Sequence, residues 1–301
     1  MIRHKRPAGA GSVQTSGWGR STDAELAWGK SRAASTRWAL AGAVMGALVA
    51  LLAFAPAAWL ARALASATEG RFLLADARGS VWSGSAVAVL TGGPQSRDAS
   101  ALPGRLEWQV SPRWNGLELR LRQPCCLNGS ASVRLTPAVG GLAAWLSGEP
   151  GWIGQWPSAW LAGLGTPWNT LQLGGALRLV SPGLTLRSAQ GRWWVEGGAD
   201  LELLAVSSRL TPLDRLGSYR LTLTADPADL AGLADLGKAG PSRLTLSTQE
   251  GALQLSGNGS WGPDGLRFRG EARAASDDTV LTNLLNIIGR RDGARSVISI
   301  G

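Results

Sequence analysis

Short runs in which apolar and polar residues alternate strictly recur from residue 106 to the C-terminus, and they constrain the fold of this chain more than any other feature. The run LELRLR at 117–122 alternates leucines with charged residues, and LEWQV at 106–110 and YRLTLTA at 219–225 follow the same rule. Strict alternation is typical of antiparallel strands that bury one face and expose the other. The sequence therefore predicts a mainly β fold.

Glycine and proline separate these runs. We predict hairpin turns at two such points, SPGL at 181–184 and WGPDGL at 261–266. The pattern fits two sheet-containing halves, at 70–136 and 170–301, or one continuous sheet. We therefore expect a curved antiparallel sheet or a sandwich-like domain, with a few short helices.

A Trp-rich insert at 138–168 interrupts the alternation. We expect two short helices in it, broken at Glu149-Pro150 and at Pro157. Its tryptophans have three possible roles: contact with a membrane interface, contact with a partner protein, or packing over the sheet as core. The candidate interaction or interfacial residues are Trp145, Trp152, Trp156 and Trp160.

A helix is also predicted over residues 276–290, where apolar residues recur at helical spacing. Ser276 or Asp277 is placed to cap its N-terminus. The apolar stripe consists of Leu281, Leu284, Leu285 and Ile288. A third, shorter helix is predicted over 226–240.

Residues 38–61 carry no charge, and a helix of that length, about 36 Å, crosses a hydrocarbon core of about 30 Å. Trp38 and Trp59 lie near its ends, where aromatic residues anchor membrane spans. Pro56 is expected to kink the helix. A cleaved signal peptide is the alternative, although its apolar core normally has only about 7–15 residues. We predict a retained transmembrane helix at 38–61.

The leader at 1–37 holds seven of the 30 Lys and Arg residues against Asp23 and Glu25. Its basic charge places it on the cytoplasmic side of the membrane, and its composition predicts disorder. Residues 62–301 are then expected to lie across the membrane. They hold only +4 of the net charge of +9, spread along the strands. Such a diffuse excess forms no phosphate-binding stripe, so we do not expect nucleic-acid binding.

The distribution of reactive residues argues against catalysis. His4, in the leader, is the only histidine, and Lys238 is the only lysine after the leader. A histidine-based triad or a histidine-ligated zinc site is therefore excluded from the main domain. The adjacent Asp277 and Asp278 suit a helix start better than a general-acid pair. We expect no enzymatic activity, no cofactor and no metal.

Cys125 and Cys126 are adjacent, and they are the only cysteines. Adjacent side chains on a strand point to opposite faces, so a bond between them requires a turn, which Pro124, Asn128 and Gly129 favour. A vicinal disulfide, an intermolecular disulfide and two buried thiols all remain open. A redox enzyme is not expected, because the spacing is not C-x-x-C.

Several segments resemble the type II secretion system protein N family, an accessory component of a Gram-negative secretion machine. In chain order they are GSVWSGSAV at 79–87, LGTPWNTLQLGGALRL at 164–179, LGSYRLTL at 216–223, LSGNGSWGPDGLRFRGEARA at 255–274 and LLNIIGRRDGARSVISIG at 284–301. The motif residues, which we expect to be structural, are Gly79, Trp82, Gly84, Trp168, Asn169, Tyr219 and Trp261. In VWSGSA we expect Trp82 to fill the core while Gly79 and Gly84 permit tight turns; a docking patch is the alternative.

The resemblance implies a single-pass inner-membrane protein with a cytoplasmic N-terminus and a periplasmic β-rich domain. Such a protein would help folded proteins cross the outer membrane, with other type II secretion components as partners. A likeness to a wider group of anchored periplasmic proteins implies the alternative, a lipid-binding or lipid-transfer protein whose curved sheet forms an apolar groove. The expected groove residues are Leu119, Leu121, Leu177, Leu179, Leu221, Leu223, Leu253 and Leu255.

Overall fold

A computed structural model of the protein describes residues 19–301, with gaps at 139, 149, 190–191, 226–241, 263–264 and 276–280. The chain divides into two compact units, Met1–Phe54 and Ala55–Gly301. Each unit is described in turn.

The first unit contains helix α1, Gly19–Ala53. Its segment Thr36–Ala53 has 18 residues and a mean hydropathy of 1.6, so by length and composition it is able to cross a membrane. At 1.5 Å per residue such a segment is about 27 Å long, close to the thickness of a hydrocarbon core. All of its residues are exposed.

The uncharged segment predicted as one helix over 38–61 is divided in the structure. Helix α1 ends at Ala53, and helix α2, Ala57–Ala67, follows Pro56 in the second unit. Pro56 is extended, with φ −70° and ψ 147°, and proline has no N–H to continue a helical ladder. Helix α2 packs against the sheet, and Ala57 is only 1% exposed. The expected kink at Pro56 is therefore a break between two helices.

The described residues of the second unit form sixteen strands. They are β1 Phe72–Gly79, β2 Ser83–Thr91, β3 Ala99–Ala101, β4 Leu106–Arg113, β5 Gly116–Arg122, β6 Ala131–Ala138, β7 Gly141–Ser147, β8 Gly154–Pro157, β9 Leu173–Ala189, β10 Arg192–Ser208, β11 Gly217–Thr224, β12 Ser242–Gly251, β13 Leu253–Gly262, β14 Gly265–Ala274, β15 Arg290–Asp292 and β16 Arg295–Ile300. In the described part of the chain, the helical elements after α2 are a 3₁₀ helix at Ser158–Leu164, α3 at Trp168–Leu171 and α4 at Thr282–Ile288.

All sixteen strands belong to one sheet, in the order β1-β2-β4-β5-β6-β7-β9-β10-β11-β12-β13-β14-β16-β15. Strand β3 pairs with β2, and β8 pairs with β9. Every pairing is antiparallel. The predicted mainly β, antiparallel fold is confirmed, and the sheet is continuous rather than divided into two halves.

The hairpin predicted at SPGL is wrong. Residues 181–184 lie inside the 17-residue strand β9, which pairs along its length with β10. The register shifts by one residue here, and the hydroxyl of Ser181 donates to the carbonyl oxygen of Gly198 at 2.7 Å. Gly197, with φ +87°, supplies the left-handed backbone conformation at this bulge. The glycine and proline therefore mark a bulge within a long hairpin.

The two helices predicted in the Trp-rich insert are also wrong. Its first part forms β7, which pairs with β6 on one side and β9 on the other, and its middle forms β8. Only the 3₁₀ helix follows within the insert, with α3 beginning at its last residue, Trp168. Strands β6 and β9 supply hydrogen-bond partners for the backbone of β7 on both sides. This pairing stabilises a strand although the sequence of β7 does not alternate between apolar and polar residues.

Helix α4 confirms the predicted C-terminal helix in part. Leu281, Leu284 and Leu285 are 1%, 1% and 2% exposed, as expected for the buried stripe. The proposed caps Ser276 and Asp277, and the helix predicted over 226–240, lie outside the described residues.

One side of the sheet, here called the apolar side, carries the inward leucines and is covered by the helices. Helix α2 packs around Trp108, which is 4% exposed. The 3₁₀ helix and β8 contribute to a second cluster around Leu102 and Cys126. Helix α4 belongs to the third and largest cluster, around Tyr219. The helices thus cover three adjoining areas of one apolar surface, and Phe72 belongs to two of them.

The opposite, polar side of the sheet carries cross-strand ion pairs. Glu202 binds Arg220 at 2.8 Å, and Glu271 binds Arg295 at 2.9 Å. Pairing of arginines with neighbouring carboxylates on a solvated face accounts for the alternation of arginine with leucine in the sequence.

We expect a Glu118→Gln variant to lose less thermal stability on acidification than the wild type. The guanidinium of Arg113 donates to Glu118 at 2.8 and 2.6 Å and holds the pKa of that carboxyl below its usual value. The ion pair therefore stabilises the fold above the unfolded-state pKa of about 4.3, and this contribution is lost as the pH falls through the lower folded-state pKa. Melting temperatures measured from neutral to acidic pH test this, with Glu107→Gln, an exposed glutamate on β4, as the control. If the melting temperatures of the wild type and Glu118→Gln fell by the same amount on acidification, the prediction would be contradicted.

Candidate functional site

An apolar cavity of about 730 Å³ lies on the apolar side of the sheet, beneath helix α4. Strands β9 to β14 and β16 form its floor, and α3 and α4 border it. Its lining residues include Leu203, Leu221, Leu246, Leu255, Phe268 and Leu284. Its volume falls within the range of about 300–1,000 Å³ typical of small-molecule sites.

The alternating leucines of the central strands build the floor. Leu221 lies directly opposite Leu246 in the β11–β12 pairing, and Leu203 lies opposite Tyr219 in the β10–β11 pairing. Because side chains alternate along a strand, these residues all point to the apolar side. The pattern that forms the sheet therefore also supplies the lining.

Two glycines make room for the ring of Phe268, which lines the cavity. Gly257 of β13 pairs with Leu246 on one side and with Gly270 of β14 on the other. The ring of Phe268 lies so close to Gly257 and Gly270 that a Cβ atom at either position would collide with it. A side chain at either position would therefore displace a ring that lines the cavity.

Helix α4 roofs the cavity and leaves a mouth. Leu284 and Leu285 are buried, and the hydroxyl of Ser296 donates to the carbonyl oxygen of Leu285 at 2.5 Å, which fixes the helix to β16. The large side chains at the mouth remain exposed, with 41% for Leu266, 43% for Ile287 and 49% for Ile300. Exposed aliphatic residues around an apolar opening are typical of a binding surface.

Tyr219 carries the one ionisable side chain among the lining residues described. Its hydroxyl donates to the carbonyl oxygen of Leu253 at 3.0 Å, and burial raises the pKa of the phenol. The phenol therefore stays neutral, with its proton held by the backbone. The lining of this cavity is almost entirely apolar, and burial of hydrocarbon in such a lining is favourable by about 0.8 kcal/mol per methylene.

The eight predicted groove residues divide between the cavity and other parts of the core. Leu221, Leu253 and Leu255 line the cavity. Leu119 and Leu121 instead pack under α2, while Leu177, Leu179 and Leu223 are not among the lining residues. Sequence reasoning missed the contribution of α4 to the cavity, although its buried stripe was the available signal.

In the motif around Trp82, the structure assigns different roles to Trp82 and Gly84 from those expected. Trp108, not Trp82, fills the core here, and a Cβ on Gly84 would lie 2.5 Å from its ring. The indole N–H of Trp108 donates to the carbonyl oxygens of Ser80 and Val81 at 3.2 and 3.1 Å. Gly79, with φ +89°, closes the turn between β1 and β2. Gly84 therefore permits close approach of a ring rather than a turn.

The remaining motif residues lie in different places. Trp168 lines the cavity, and the side-chain amide of Asn169 donates to Asp98 at 3.0 Å, fixing α3 to the loop before β3. Trp261 pairs with Ser242 and Leu266 in the sheet. These contacts hold the edges of the cavity in place.

The four candidate tryptophans of the insert are not gathered into one patch. Trp156 and Trp160 pack in the second core cluster, and the indole of Trp160 meets Phe72 edge to face at 6.3 Å. Trp152 is half-buried, and its carbonyl oxygen accepts from Asn128 at 3.0 Å. Trp145 is 38% exposed and lies opposite Arg134 and Thr185, on the polar side of the sheet.

Cys125 and Cys126 are joined in a disulfide within the turn that follows β5. Cys126 is 2% exposed and packs in the second core cluster, and its carbonyl oxygen accepts from the backbone N–H of Gln155 at 2.7 Å. Neither cysteine lines the cavity. Their position links the turn to β8.

These features define the chain as a single-sheet β protein with an apolar cavity on the helix-covered side. Among the residues that the structure describes, no group of His, Cys, Asp and Glu is placed to hold a metal ion. The family model described as type II secretion system (T2SS), protein N matches residues 70–298. The chain therefore belongs to that family and is a type II secretion component. No curated protein and no solved structure matches the chain.

Proposed function

We propose that this protein is an accessory component of the type II secretion system in the inner membrane, and that its β domain binds other components in the periplasm. The family match over residues 70–298 carries this proposal. The apolar segment Thr36–Ala53 supports a single membrane span. The basic leader before it favours a cytoplasmic N-terminus by the positive-inside rule.

An open sheet offers two edges for protein contact, β1 and β15. Strand β15 has three residues, whereas β1 has eight and is the longer edge. A register shift between Ala75 and Arg78 interrupts β1, which leaves Phe72–Ala75 as its regular part. Unpaired backbone groups on such an edge accept an added strand from a partner. We propose that the domain acts through contacts of this kind, without catalysis.

A clean deletion of the gene in the source bacterium tests this function. We expect exported hydrolases to accumulate in the periplasm and to fall in the culture supernatant, while the outer membrane still excludes a large antibiotic. Re-expression of the full chain should restore secretion. Normal secretion with a leaky outer membrane would overturn the proposal and favour a role in lipid handling.

The cavity supports a second candidate function, the binding or transfer of a lipid by the β domain. Its floor and roof are aliphatic or aromatic, and its mouth is rimmed by exposed Leu266, Ile287 and Ile300. An acyl chain is the ligand that matches such a lining, because burial of its methylenes requires no polar partner. A substitution that fills the cavity should weaken lipid binding without affecting contacts between the domain and other proteins.

A further inference from the structure

Three hairpin turns lie at the same end of the sheet. They join β1 to β2, β4 to β5 and β6 to β7. Ser83 at the start of β2 pairs with Gln109, four residues before the end of β4. Leu117 at the start of β5 pairs with Leu135, three residues before the end of β6. The three turns are therefore neighbours along one margin of the sheet.

The chain enters the second unit at this end. The backbone N–H of Val81, in the β1–β2 turn, donates to the carbonyl oxygen of Ala55 at 2.9 Å, and Pro56 forms a β-bridge with Ser80. We call this margin the Ala55 end. Phe54 alone separates Ala55 from Ala53, the last residue of the apolar helix α1. One residue spans at most about 3.6 Å, so the Ala55 end is tied closely to the end of α1 along the chain.

Large apolar side chains are exposed at the Ala55 end. Trp114, at the tip of the β4–β5 hairpin, is 98% exposed, and Leu142, beside the β6–β7 turn, is 52% exposed. Trp59, in the first turn of α2, is 44% exposed. The ring of a fully exposed tryptophan leaves a large apolar surface in water. Covering that surface is favourable, so such a residue at a hairpin tip indicates a contact surface.

We propose that the Ala55 end of the sheet rests on the surface of the lipid bilayer, with Trp114, Leu142 and Trp59 inserted into its interface. This inference rests on the proposed membrane location of α1. The short connection to α1 indicates that lipid covers these side chains, because that connection keeps the Ala55 end beside the membrane surface. Tryptophan is also enriched at that depth in membrane proteins.

The β13–β14 hairpin points in the same direction along the sheet but does not reach this margin. Gly262 and Gly265 close it, and Leu266, which lines the cavity, follows directly. The register from Gly198 to Thr224, from Thr224 to Arg243 and from Ser242 to Trp261 places this hairpin level with residues 197–198, about six residues from the start of β10. The rim of the cavity is therefore set back from the Ala55 end.

Fluorescence in reconstituted vesicles tests the contact. The full-length Trp114→Cys variant is labelled with an NBD fluorophore without reductant, so that the Cys125–Cys126 bond stays closed, and is inserted into vesicles of phosphatidylcholine with some phosphatidylglycerol. We expect spin-labelled phosphatidylcholine to quench the emission at this position, because the label then lies at the depth of the bilayer interface. The matched control is Gln249→Cys, at an exposed site beside the β12–β13 turn at the opposite end. Leu142→Cys is a second site at the Ala55 end, and the unsubstituted chain is the labelling blank.

The outcomes separate this inference from the proposed function. Quenching at positions 114 and 142 but not at 249 supports it. No quenching at 114 and 142, in a protein that resists extraction from the vesicles by alkaline carbonate, overturns the contact while leaving the membrane anchor intact. Equal quenching at all three positions also overturns it, because the sheet would then lie flat on the bilayer. Release of the protein by carbonate would instead refute the membrane location on which the inference depends.

Discussion

Replacing Trp108 with alanine should lower the free energy of unfolding by about 3–5 kcal/mol, the usual cost of removing a buried tryptophan from a core. The side chain is 4% exposed, and its ring occupies the space left open by Gly84. The substitution also removes the donor that satisfies the carbonyl oxygens of Ser80 and Val81. The β1–β2 turn and its packing beneath α2 should therefore loosen together.

Trp114→Ala is the matched control. It also removes a tryptophan from the β4–β5 hairpin, but from the exposed tip rather than from the buried strand. Trp114 is 98% exposed, so its loss should change stability by less than about 0.5 kcal/mol. Unfolding of both full-length variants in detergent, followed by near-UV circular dichroism, measures the difference. Equal stabilities would show that Trp108 does not form part of the core.

Leu221→Trp should weaken binding of a fluorescent palmitate analogue about tenfold, equivalent to about 1.4 kcal/mol. Leu221 lies on the floor of the cavity and is paired in the sheet with Leu201 and Leu246, and an indole there occupies volume that an acyl chain would need. Because the new ring enters open space rather than a filled core, the variant should fold normally. Titration of the full-length protein in detergent measures the affinity.

Leu223→Trp is the control for this substitution. Leu223 lies two residues along the same strand, so its side chain points to the same side of the sheet, but it does not line the cavity. Its affinity for the probe should match the wild type. If Leu221→Trp bound the probe as tightly as Leu223→Trp did, the cavity would not be a lipid site, whereas the secretion role would be unaffected.

The parts of the fold that were predicted correctly depend on local periodicity. The alternation in 117–122 and 219–225 predicted strands, and the stripe at Leu284 and Leu285 predicted a buried helix. The predictions were wrong where the same local sequence is compatible with two kinds of secondary structure. Glycine and proline at 181–184 mark a bulge as readily as a turn, and residues 141–147 form a strand only because β6 and β9 lie on either side.

The candidate site was only partly predictable for a similar reason. Alternation identified Leu221, Leu253 and Leu255 as pointing to the apolar side, and all three line the cavity. It could not distinguish them from Leu119 and Leu121, which have the same pattern but pack under α2. Whether an apolar surface is covered depends on where a helix returns to it, and that is a long-range contact.

By itself, the sequence determined that this chain has an apolar helix near its N-terminus and a mainly β domain, because hydrophobic periodicity is a local property of neighbouring residues. The resemblance of its motifs determined the family. Only the tertiary structure decided that the strands form one sheet, that Trp108 rather than Trp82 fills the first cluster, and that a cavity remains beneath α4. Each of these depends on strand order and on the packing of residues far apart in the chain, which local periodicity does not encode.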